Sequence, residues 1–593
     1  MLSRNQFAVL ADAVVHAGDS QRARAQRTGV SLGSVNAATR QLQKLGALDA
    51  EGGVTQAGYD LLEPYKVDNA IIMAAGLSSR FAPISYERPK GMLCVRGEVL
   101  IERQIRQLKE AGIDDITVVV GYMKEQFFYL EDLFGVQIRV NEEYAHRNNN
   151  STLMLVREQL GNTYICSSDN YFTRNVFEPY VYEAYYSAVY FEGPTDEYLL
   201  RTGPGKRIVG VTIGGADAYG MSGHAYFDRA YSQAFRAILE AEYHRPEMAS
   251  KLWEDVYIDH LAELHMVMRA YEPGVVYEFD SLEEISDFDP AFIENVDSSI
   301  LDNICKTLDV DRADVVGIEP ISQGLTNLSF KFEAGGSQYV YRHPGAGTDA
   351  IINREAETFS QQVAKQLGLD DTFIYEDARE GWKISHYLPN CKELDYHDKK
   401  QVAKALRMAR TLHTCGERSF FEFDVHEKTK QIIELLDDRH RASFSDFRTL
   451  FDLIDGLAVH VASEGVEPCL CHNDFYSPNL LVEDGDMYLI DWEYSGMSDY
   501  ASDLGTFVCC SDYGLDEAIE VIGEYFQRTP TQAELAHCLS YIAISSYYWF
   551  IWALYKDACG APVGEWLYLW YKNAKMFGHA AREAIDESRL NAE

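Results

Sequence analysis

The 593-residue chain is acidic, with 53 lysines and arginines against 92 aspartates and glutamates and a formal net charge of −39. A field of this sign repels nucleic acids and anionic membranes and favours cationic small substrates. The length exceeds what one hydrophobic core organises, so several domains are expected. The eleven cysteines show no CxxC spacing, no signal peptide is evident and the apolar run 541–555 is too short to span a membrane. We therefore expect a cytoplasmic protein with reduced thiols and no membrane insertion.

Residues 1–66 read as short helices with a hydrophobic repeat at Phe7, Leu10 and Val14. A helix predicted from Ser31 to Leu45 begins with a serine cap and carries two cations, Arg40 and Lys44. This layout resembles the winged-helix domains of bacterial regulators, which implies DNA binding through a recognition helix. The segment holds seven basic and six acidic residues, which is far from a basic footprint. A packing or regulatory appendage is the alternative.

Residues 67–292 alternate between predicted strands and helices. Apolar strands are expected at 69–75, 116–121, 137–141 and 164–167, with helices at 100–111 and 125–133. This alternation favours a parallel sheet covered by helices on both faces. Residues 297–593 instead open with a hairpin-rich lobe at 316–342 and become helical afterwards.

A glycine turn follows the first of these strands, in Met73-Ala74-Ala75-Gly76. Backbone N–H groups in such a turn can approach a triphosphate closely. Arg80 and Lys90 follow, as cations that could neutralise a departing pyrophosphate. The run resembles the signature of sugar-nucleotide pyrophosphorylases and, more closely, of phosphocholine cytidylyltransferases. Ser78 stands where that signature usually has a second glycine, which limits the approach of the backbone.

The same resemblance implies further site residues. Asp169 and Asp280 would hold Mg²⁺, which usually takes one or two carboxylates besides phosphate and water oxygens. Asp280 could instead cap the helix that starts at Leu282. Substrate contacts are implied for two residues of an asparagine-rich turn and for two aromatic residues that could hold a quaternary ammonium by cation–π contact. They are Asn149, Asn150, Tyr219 and Trp253. The alternatives are a plain polar loop and core packing.

The richest motif is His472-x-Asp474-x-x-x-x-Asn479, followed twelve residues later by Asp491. Phosphoryl transfer needs a carboxylate beside the attacking hydroxyl and oxygen ligands for magnesium. Asp474 could accept the proton, while Asn479 and Asp491 could hold the metal. The motif resembles the catalytic core of choline kinases and aminoglycoside phosphotransferases.

This second resemblance implies a phosphate loop, an arginine for the phosphates and an aromatic cage. The loop residues are Gly324, Thr326 and Asn327. Arg342 would bind phosphate, with Glu355 as its ion-pair partner. Trp549 and Trp552, three apart on one helix face, would enclose the ammonium group, assisted by Glu493 and Tyr494. Asp512 stands where these kinases often have a glutamate, which weakens the assignment of choline.

The predicted fold class is α/β multidomain. It comprises a winged helix-turn-helix domain at 1–66, a Rossmann-like nucleotidyltransferase domain at 67–292 and a two-lobed kinase-like α+β domain at 297–593. The expected activity is phosphorylation of choline by ATP, then transfer of CMP from CTP to phosphocholine, with Mg²⁺. The alternatives are the same chemistry on ethanolamine, aminoethylphosphonate or a sugar phosphate, and a metabolite-sensing DNA-binding regulator. The sequence leaves the oligomeric state open.

Overall fold

A computed structural model describes residues 2–321, 328–345, 352–436, 438–559 and 563–590. The chain divides into two compact units, Met1–Asn303 and Ile304–Glu593. Residue 66, the predicted end of the first domain, lies inside the first unit. Within the described residues, no helix is both long and apolar enough to cross a membrane.

The first unit opens with four helices packed around a small apolar core. They are α1 Arg4–Val15, α2 Gln21–Thr28, α3 Leu32–Lys44 and α4 Gln56–Leu62. Each begins at a serine or threonine whose side chain accepts a backbone hydrogen bond from the first turn. The predicted helix with its Ser31 cap is therefore confirmed as α3. An antiparallel bridge joins Leu48 to Val54 between α3 and α4.

Some of the basic side chains of residues 1–66 form ion pairs within that segment. The Asp12 carboxylate forms ion pairs with Arg24 at 2.9 Å and with Arg27 at 2.8 Å. Arg40 and Lys44 on α3 remain exposed. Because two of the arginines are paired internally, the surface left for an anionic partner is smaller than the sequence indicates. The winged-helix assignment and DNA binding through residues 1–66 stay predictions.

Aromatic rings join these helices to the rest of the first unit. Tyr65 stacks on Tyr182 with ring centroids 5.5 Å apart and planes 9° from parallel. Phe7 of α1 contacts both rings, at 5.0 and 5.3 Å. Stacked aromatic pairs of this kind stabilise by about 1 kcal/mol beyond the area they bury. The N-terminal helices therefore pack directly against the segment that leads into the central sheet.

The central sheet of the first unit has seven strands in the order β10-β8-β9-β6-β1-β4-β5. The strands of this unit are β1 Asn69–Ala74, β2 Cys94–Val95, β3 Glu98–Val99, β4 Ile116–Val120, β5 Gln137–Val140, β6 Thr163–Ser167, β7 Asn170–Phe172, β8 Tyr185–Thr202, β9 Ile208–Phe227, β10 Val267–Ala270 and β11 Val276–Glu278. β1 pairs in parallel with β4 and β6, and β4 with β5, as the alternating pattern predicts. The long antiparallel hairpin of β8 and β9 is not foreseen by that pattern.

Helices cover both faces of this sheet. Those with residues in its two cores are α5 Leu100–Glu110, α6 Tyr129–Phe134, α7 Asn150–Leu155, α8 Arg229–Glu242 and α9 Trp253–Asp259. The helices that follow are α10 Leu282–Phe288, α11 Phe292–Asn295 and α12 Ser299–Leu308, the last of which ends in the second unit. Consecutive residues of a strand place their side chains on opposite faces of the sheet. Ile72 joins the core under α5, whereas Ile71 joins the core under α8 and α9.

The second unit begins with an antiparallel sheet and continues as a helical lobe. The sheet order is β12-β13-β14-β16-β15. Its strands and the later hairpins are β12 Val316–Ile321, β13 Leu328–Ala334, β14 Ser337–His343, β15 Phe373–Glu376, β16 Lys383–His386, β17 Lys392–Glu393, β18 Cys469–Cys471, β19 Leu480–Glu483, β20 Asp486–Leu489 and β21 Gly496–Ser498. The helices are α13 Arg354–Gln366, α14 Lys399–His413, α15 Val425–Leu435, α16 Asp438–Ala442, α17 Phe447–Ser463, α18 Tyr500–Cys509, α19 Leu515–Phe526, α20 Gln532–Ala558 and α21 Trp566–Leu590.

All eleven cysteines lie in the described part of the chain, and all are free thiols. Two of them are exposed, Cys94 in the first unit and Cys559 in the second. The others are buried or half-buried. This distribution agrees with the expectation of unpaired thiols.

His537, on the buried helix α20, joins two other helix ends. Its Nδ1 lies 2.5 Å from Glu464 at the end of α17, and its Nε2 lies 3.0 Å from Asp499, the N-cap of α18. Burial disfavours the charged imidazole, but hydrogen bonds and charge from Asp499 and Glu464 outweigh burial and raise the pKa of His537. The ring therefore joins α17, α18 and α20, most strongly when it is protonated.

The second unit is expected to lose stability as the pH rises through this raised pKa. An unfolded histidine titrates near about 6.5, so the extra stabilisation is complete below that pH and is lost above the folded pKa. Urea unfolding followed by tryptophan fluorescence between about pH 6 and about pH 9 measures this dependence. His537→Gln should flatten it, whereas His579→Gln, at an exposed position of α21, should leave it unchanged. Equal pH dependence in all three proteins would contradict the assignment.

Candidate catalytic sites

The first unit contains a cavity of about 500 Å³ at the carboxyl end of β1. Its described lining combines the glycine turn, the Lys90 loop, the asparagine-rich turn and the end of β6. These residues are Met73–Ser78, Pro89–Gly91, Asn141, Tyr144–Asn149, Thr152, Ser167–Asp169, Ala249 and Ser250. Ligands of open parallel sheets bind at the carboxyl ends of the strands, so the position suits a nucleotide. The predicted residues Ala74, Ala75, Gly76, Lys90, Asn149 and Asp169 thus share one cavity.

A cluster of opposite charges lies at this cavity. The ammonium group of Lys90 is 2.7 Å from Asp169 and 3.7 Å from Asp280, and Arg80 is 2.9 Å from Asp280. The alternative role of Asp280 as a helix cap is wrong, because the side chain of Ser281 caps α10. The two carboxylates predicted to hold magnesium therefore converge on one cation, and their oxygen donors suit Mg²⁺.

The asparagine-rich turn contributes one cavity residue and one structural residue. Asn149 lines the cavity, accepts from the backbone N–H of Trp253 at 2.7 Å and donates to Glu254 at 3.2 Å. Asn150 is fully buried, and its amide nitrogen donates to the Met248 carbonyl at 2.7 Å. The predicted substrate contact of Asn150 is not what the structure shows, since its side chain binds the carbonyl groups of Met248 and Lys251 and so holds that distant loop in place.

The two predicted aromatic residues lie away from the cavity surface. Trp253 is 1% exposed and stacks on Tyr186 at 5.6 Å. Tyr219 lies on the β8–β9 hairpin, where it contacts Tyr190 at 5.3 Å. Neither Trp253 nor Tyr219 is among the described residues that line the cavity. Trp253 is a core residue because α9 packs its indole against the sheet.

Glu254, which sequence reasoning missed, lies where Trp253 was expected to act. Its carboxylate accepts from the Tyr186 hydroxyl at 3.2 Å and from Asn149 at 3.2 Å. Burial raises its pKa to about 7. The signal in the sequence is weak, since Glu254 is one of two adjacent acidic residues at the start of a helix. The side chain thus places a titratable carboxylate in contact with Asn149, a residue of the cavity lining.

The loop at 472–479 in the second unit brings Asp474 and Asn479 together. The Asn479 amide nitrogen donates to Asp474 Oδ2 at 2.8 Å and to the Asp474 carbonyl at 2.9 Å. These bonds use the amide nitrogen, so Asn479 Oδ1 is the atom that can bind a cation. Burial, and then the charges of Asp491 and Glu493, raise the pKa of Asp474 well above its usual range. Crowded carboxylates with an amide oxygen fit a divalent cation such as Mg²⁺.

Asp503, on α18, holds this loop from behind. It accepts from the backbone N–H groups of His472 at 2.9 Å and Asn473 at 2.6 Å, and it lies 2.9 Å from His413 Nε2. His472 itself is fully buried and contacts the Ile490 carbonyl at 3.0 Å. Burial lowers the pKa of His472, so the ring acts as a neutral link between the loop and the Asp491 segment. Sequence spacing gave no indication of Asp503.

Arg342 occupies the centre of a buried charge network, but with a different partner from the predicted one. Glu355 is exposed, whereas Arg342 forms an ion pair with Glu357 and lies 3.2 Å from Asp491. The prediction of Glu355 is wrong because two residues along a helix rotate a side chain by about 200°. Although burial favours the neutral form, Arg342 and Lys383 lower the pKa of Glu357 to about 2. Gly324, Thr326 and Asn327 lie outside the described residues.

Aromatic residues gather on α20 and α21. The rings of Trp549 and Trp552 lie 5.6 Å apart, which confirms that they share a helix face. Trp570, missed from the sequence, lies 5.7 Å from Trp549. Tyr548, which precedes Trp549, is buried. Burial raises its pKa most, and the nearby charges of Asp474 and Glu493 raise it further. The substrate roles of Trp549, Trp552, Glu493 and half-buried Tyr494 stay predictions.

Comparisons with known proteins agree with this division into two sites. Residues 70–179 match the MobA-like NTP transferase domain, and residues 317–537 match the phosphotransferase enzyme family. The chain is 34% identical over 215 residues to the choline-phosphate cytidylyltransferase of Streptococcus pneumoniae, which covers 36% of this chain and 94% of the relative. It is 34% identical over 229 residues to the 2-aminoethylphosphonate cytidylyltransferase of Lancefieldella rimae, covering 38% and 93%.

A solved structure is also similar to part of this chain. The crystal structure of a choline kinase from Streptococcus pneumoniae covers 48% of this chain and 100% of its own, with 25% identity and a TM-score of 0.41. Through its nucleotidyltransferase domain the chain belongs to the cytidylyltransferase family, and this domain is followed by a segment that matches the phosphotransferase enzyme family.

Proposed function

We propose that the chain is a bifunctional enzyme that phosphorylates choline with ATP and then transfers CMP from CTP to phosphocholine. The observation that carries the proposal is the presence of two separate oxygen-ligand sets in one chain. Asp169 and Asp280 converge on Lys90 in the first unit, and Asp474, Asn479 and Asp491 share the loop region of the second. Two such sets suit two nucleotide reactions, the product of one being the substrate of the other.

In the second unit, Asp474 would accept the proton of the choline hydroxyl as its oxygen attacks the γ-phosphorus of ATP. The bond from that phosphorus to the bridging oxygen of ADP breaks. The raised pKa of Asp474 suits a group that must take up a proton. Mg²⁺ held by Asn479 and Asp491 would neutralise phosphate charge. Asp503 keeps the loop rigid through two backbone hydrogen bonds, so that Asp474 stays in place.

In the first unit, a phosphate oxygen of phosphocholine would attack the α-phosphorus of CTP. The bond to the β-phosphate breaks, and CDP-choline and pyrophosphate result. Lys90 and Arg80 would leave their carboxylate partners to neutralise the pyrophosphate, while Mg²⁺ takes their place at Asp169 and Asp280. Backbone N–H groups after β1 would bind the triphosphate, as glycine turns at strand ends do.

The charge beside the cavity favours a cationic substrate. The Tyr186 hydroxyl lies 3.2 Å from the Glu254 carboxylate, so a carboxylate and an aromatic ring lie together. A cation gains from both. The order of the two reactions also limits which substrate can accept CMP. Phosphorylation of a hydroxyl gives a phosphate ester and never a carbon–phosphorus bond. The attached kinase-like domain therefore favours choline or ethanolamine over aminoethylphosphonate, and the Trp549–Trp552 pair favours the quaternary amine.

Separate loss of the two reactions is the first expected outcome. Asp474→Asn should lower the turnover of choline by about 10³-fold or more while leaving conversion of supplied phosphocholine intact. Lys90→Met should instead cause phosphocholine to accumulate from choline. Mass spectrometry of mixtures with ATP, CTP, Mg²⁺ and each acceptor reads both steps, and each variant is the folding control of the other.

The acceptors choline, ethanolamine and aminoethylphosphonate are compared in the same assay. Turnover of ethanolamine above choline would transfer the proposal to the primary amine. CTP turnover with aminoethylphosphonate alone would contradict a sequential pathway. Untouched ATP and CTP with every acceptor would favour the metabolite-sensing regulator, in which the enzyme-like domains only bind ligands.

The affinity for phosphocholine should become weaker as the pH is lowered. Because the pKa of Glu254 is about 7, its carboxylate loses charge as the pH drops through neutrality, and the attraction for the ammonium group weakens. The KM for phosphocholine should rise several-fold between about pH 8 and about pH 6.5, while the KM for CTP changes little. Glu254→Gln should have a raised KM at both pH values. A KM ratio between wild type and Glu254→Gln that is constant with pH would contradict this role.

A further inference from the structure

Glu87 joins the loop that carries Lys90 to the start of α12. Its Oε1 accepts from the backbone N–H of Ser299 at 2.8 Å and from the Ser299 hydroxyl at 2.5 Å. Its Oε2 accepts from the Ser298 hydroxyl at 2.5 Å, and the Ile300 N–H lies 3.3 Å from Oε1. A carboxylate at a helix N-terminus gains from charge-assisted hydrogen bonds and from the helix dipole. One side chain therefore receives four donors from three consecutive residues.

The loop that contains Glu87 has little regular structure of its own. Between Phe81 and Leu93 it makes short 3₁₀ turns at Ile84–Tyr86 and Lys90–Met92. A segment with so few internal bonds depends on contacts with its surroundings for a fixed position. Glu87 is three residues from Lys90, whose ammonium group must stay within reach of Asp169. Its carboxylate is well placed to restrain the loop at this point.

We propose that Glu87 is a positioning residue for cytidylyl transfer, and that Ser298 and Ser299 complete the support of the catalytic lysine. The inference rests on the proposed function of the first unit. Ser298 and Ser299 lie beyond the predicted end of the nucleotidyltransferase domain at residue 292, and α12 runs on across the division between the two units. The support of the Lys90 loop is thus drawn from the start of α12, within the first unit.

Glu87→Gln in the full-length chain tests the role. The neutral amide keeps the size of the side chain but weakens the charge-assisted bonds to Ser298 and Ser299. We expect kcat for CTP turnover to fall about tenfold, because small misplacement of a catalytic group is costly, while the KM for CTP stays within about twofold. Phosphorylation of choline by the same molecules should be unchanged, because that site lies in the second unit and Glu87 lies in the first. Ser298→Ala with Ser299→Ala should lower kcat less, and combination with Glu87→Gln should be non-additive.

Asp297→Asn is the matched control. Asp297 neighbours Ser298 and pairs with Arg88 at 2.9 Å, but its side chain is 92% exposed, so its ion pair contributes little. This variant should behave as the wild type. Unchanged kcat in Glu87→Gln, or an equal loss of both activities, would overturn the proposal, the latter by indicating a general loss of structure.

Amide hydrogen exchange supplies a measure that does not need turnover. Glu87→Gln should exchange faster than the wild type in residues 88–93 and 298–301, and Asp297→Asn should not. Unchanged exchange in Glu87→Gln would overturn the positioning role. If the wild type failed to consume CTP, the proposed function would fall, and the exchange result would still decide whether Glu87 holds the loop.

Discussion

Compensation of buried negative charge is the constraint on which both sites depend. The chain is strongly acidic, and each site concentrates carboxylates that are buried or half-buried. Uncompensated charges in such places are costly. In the first unit Lys90 lies between Asp169 and Asp280, and in the second Arg342 lies between Glu357 and Asp491. Lys90 and Arg342 thus stabilise the carboxylates of the two sites, and under the proposed function the same two cations would bind phosphate.

The irregular loops that carry the catalytic groups are held by acidic side chains from elsewhere in the fold. Asp503 binds two successive backbone N–H groups of the loop that precedes Asp474. Glu87 has the reverse arrangement, since it lies on the loop and binds the start of a helix. In both cases a carboxylate serves as acceptor for main-chain donors that a loop or a helix end leaves without an internal partner. The acidity of the chain is therefore used structurally as well as chemically.

The sequence predicted the local elements well and the distant contacts poorly. The strand before Gly76, the cap at Ser31 and the proximity of Asp474 to Asn479 follow from short-range patterns, and the structure contains them. Glu357 was missed because the helix phase, set by packing, decides which glutamate faces Arg342. Trp253 was placed at the substrate because an aromatic residue reads alike in a core and in a cage. Asp503 was missed because its partners are backbone groups about 30 residues away in the chain, and no side-chain motif marks them.

The distribution of free thiols has a practical consequence. Cys94 and Cys559 are the exposed thiols of the eleven, all of which lie in the described chain, and each belongs to a different compact unit. Because thiol reactivity requires access as well as ionisation, a maleimide dye should attach first at these two positions. The natural sequence therefore offers a donor–acceptor pair for single-molecule energy transfer, with which changes in separation between the units during turnover could be followed without introducing a new residue.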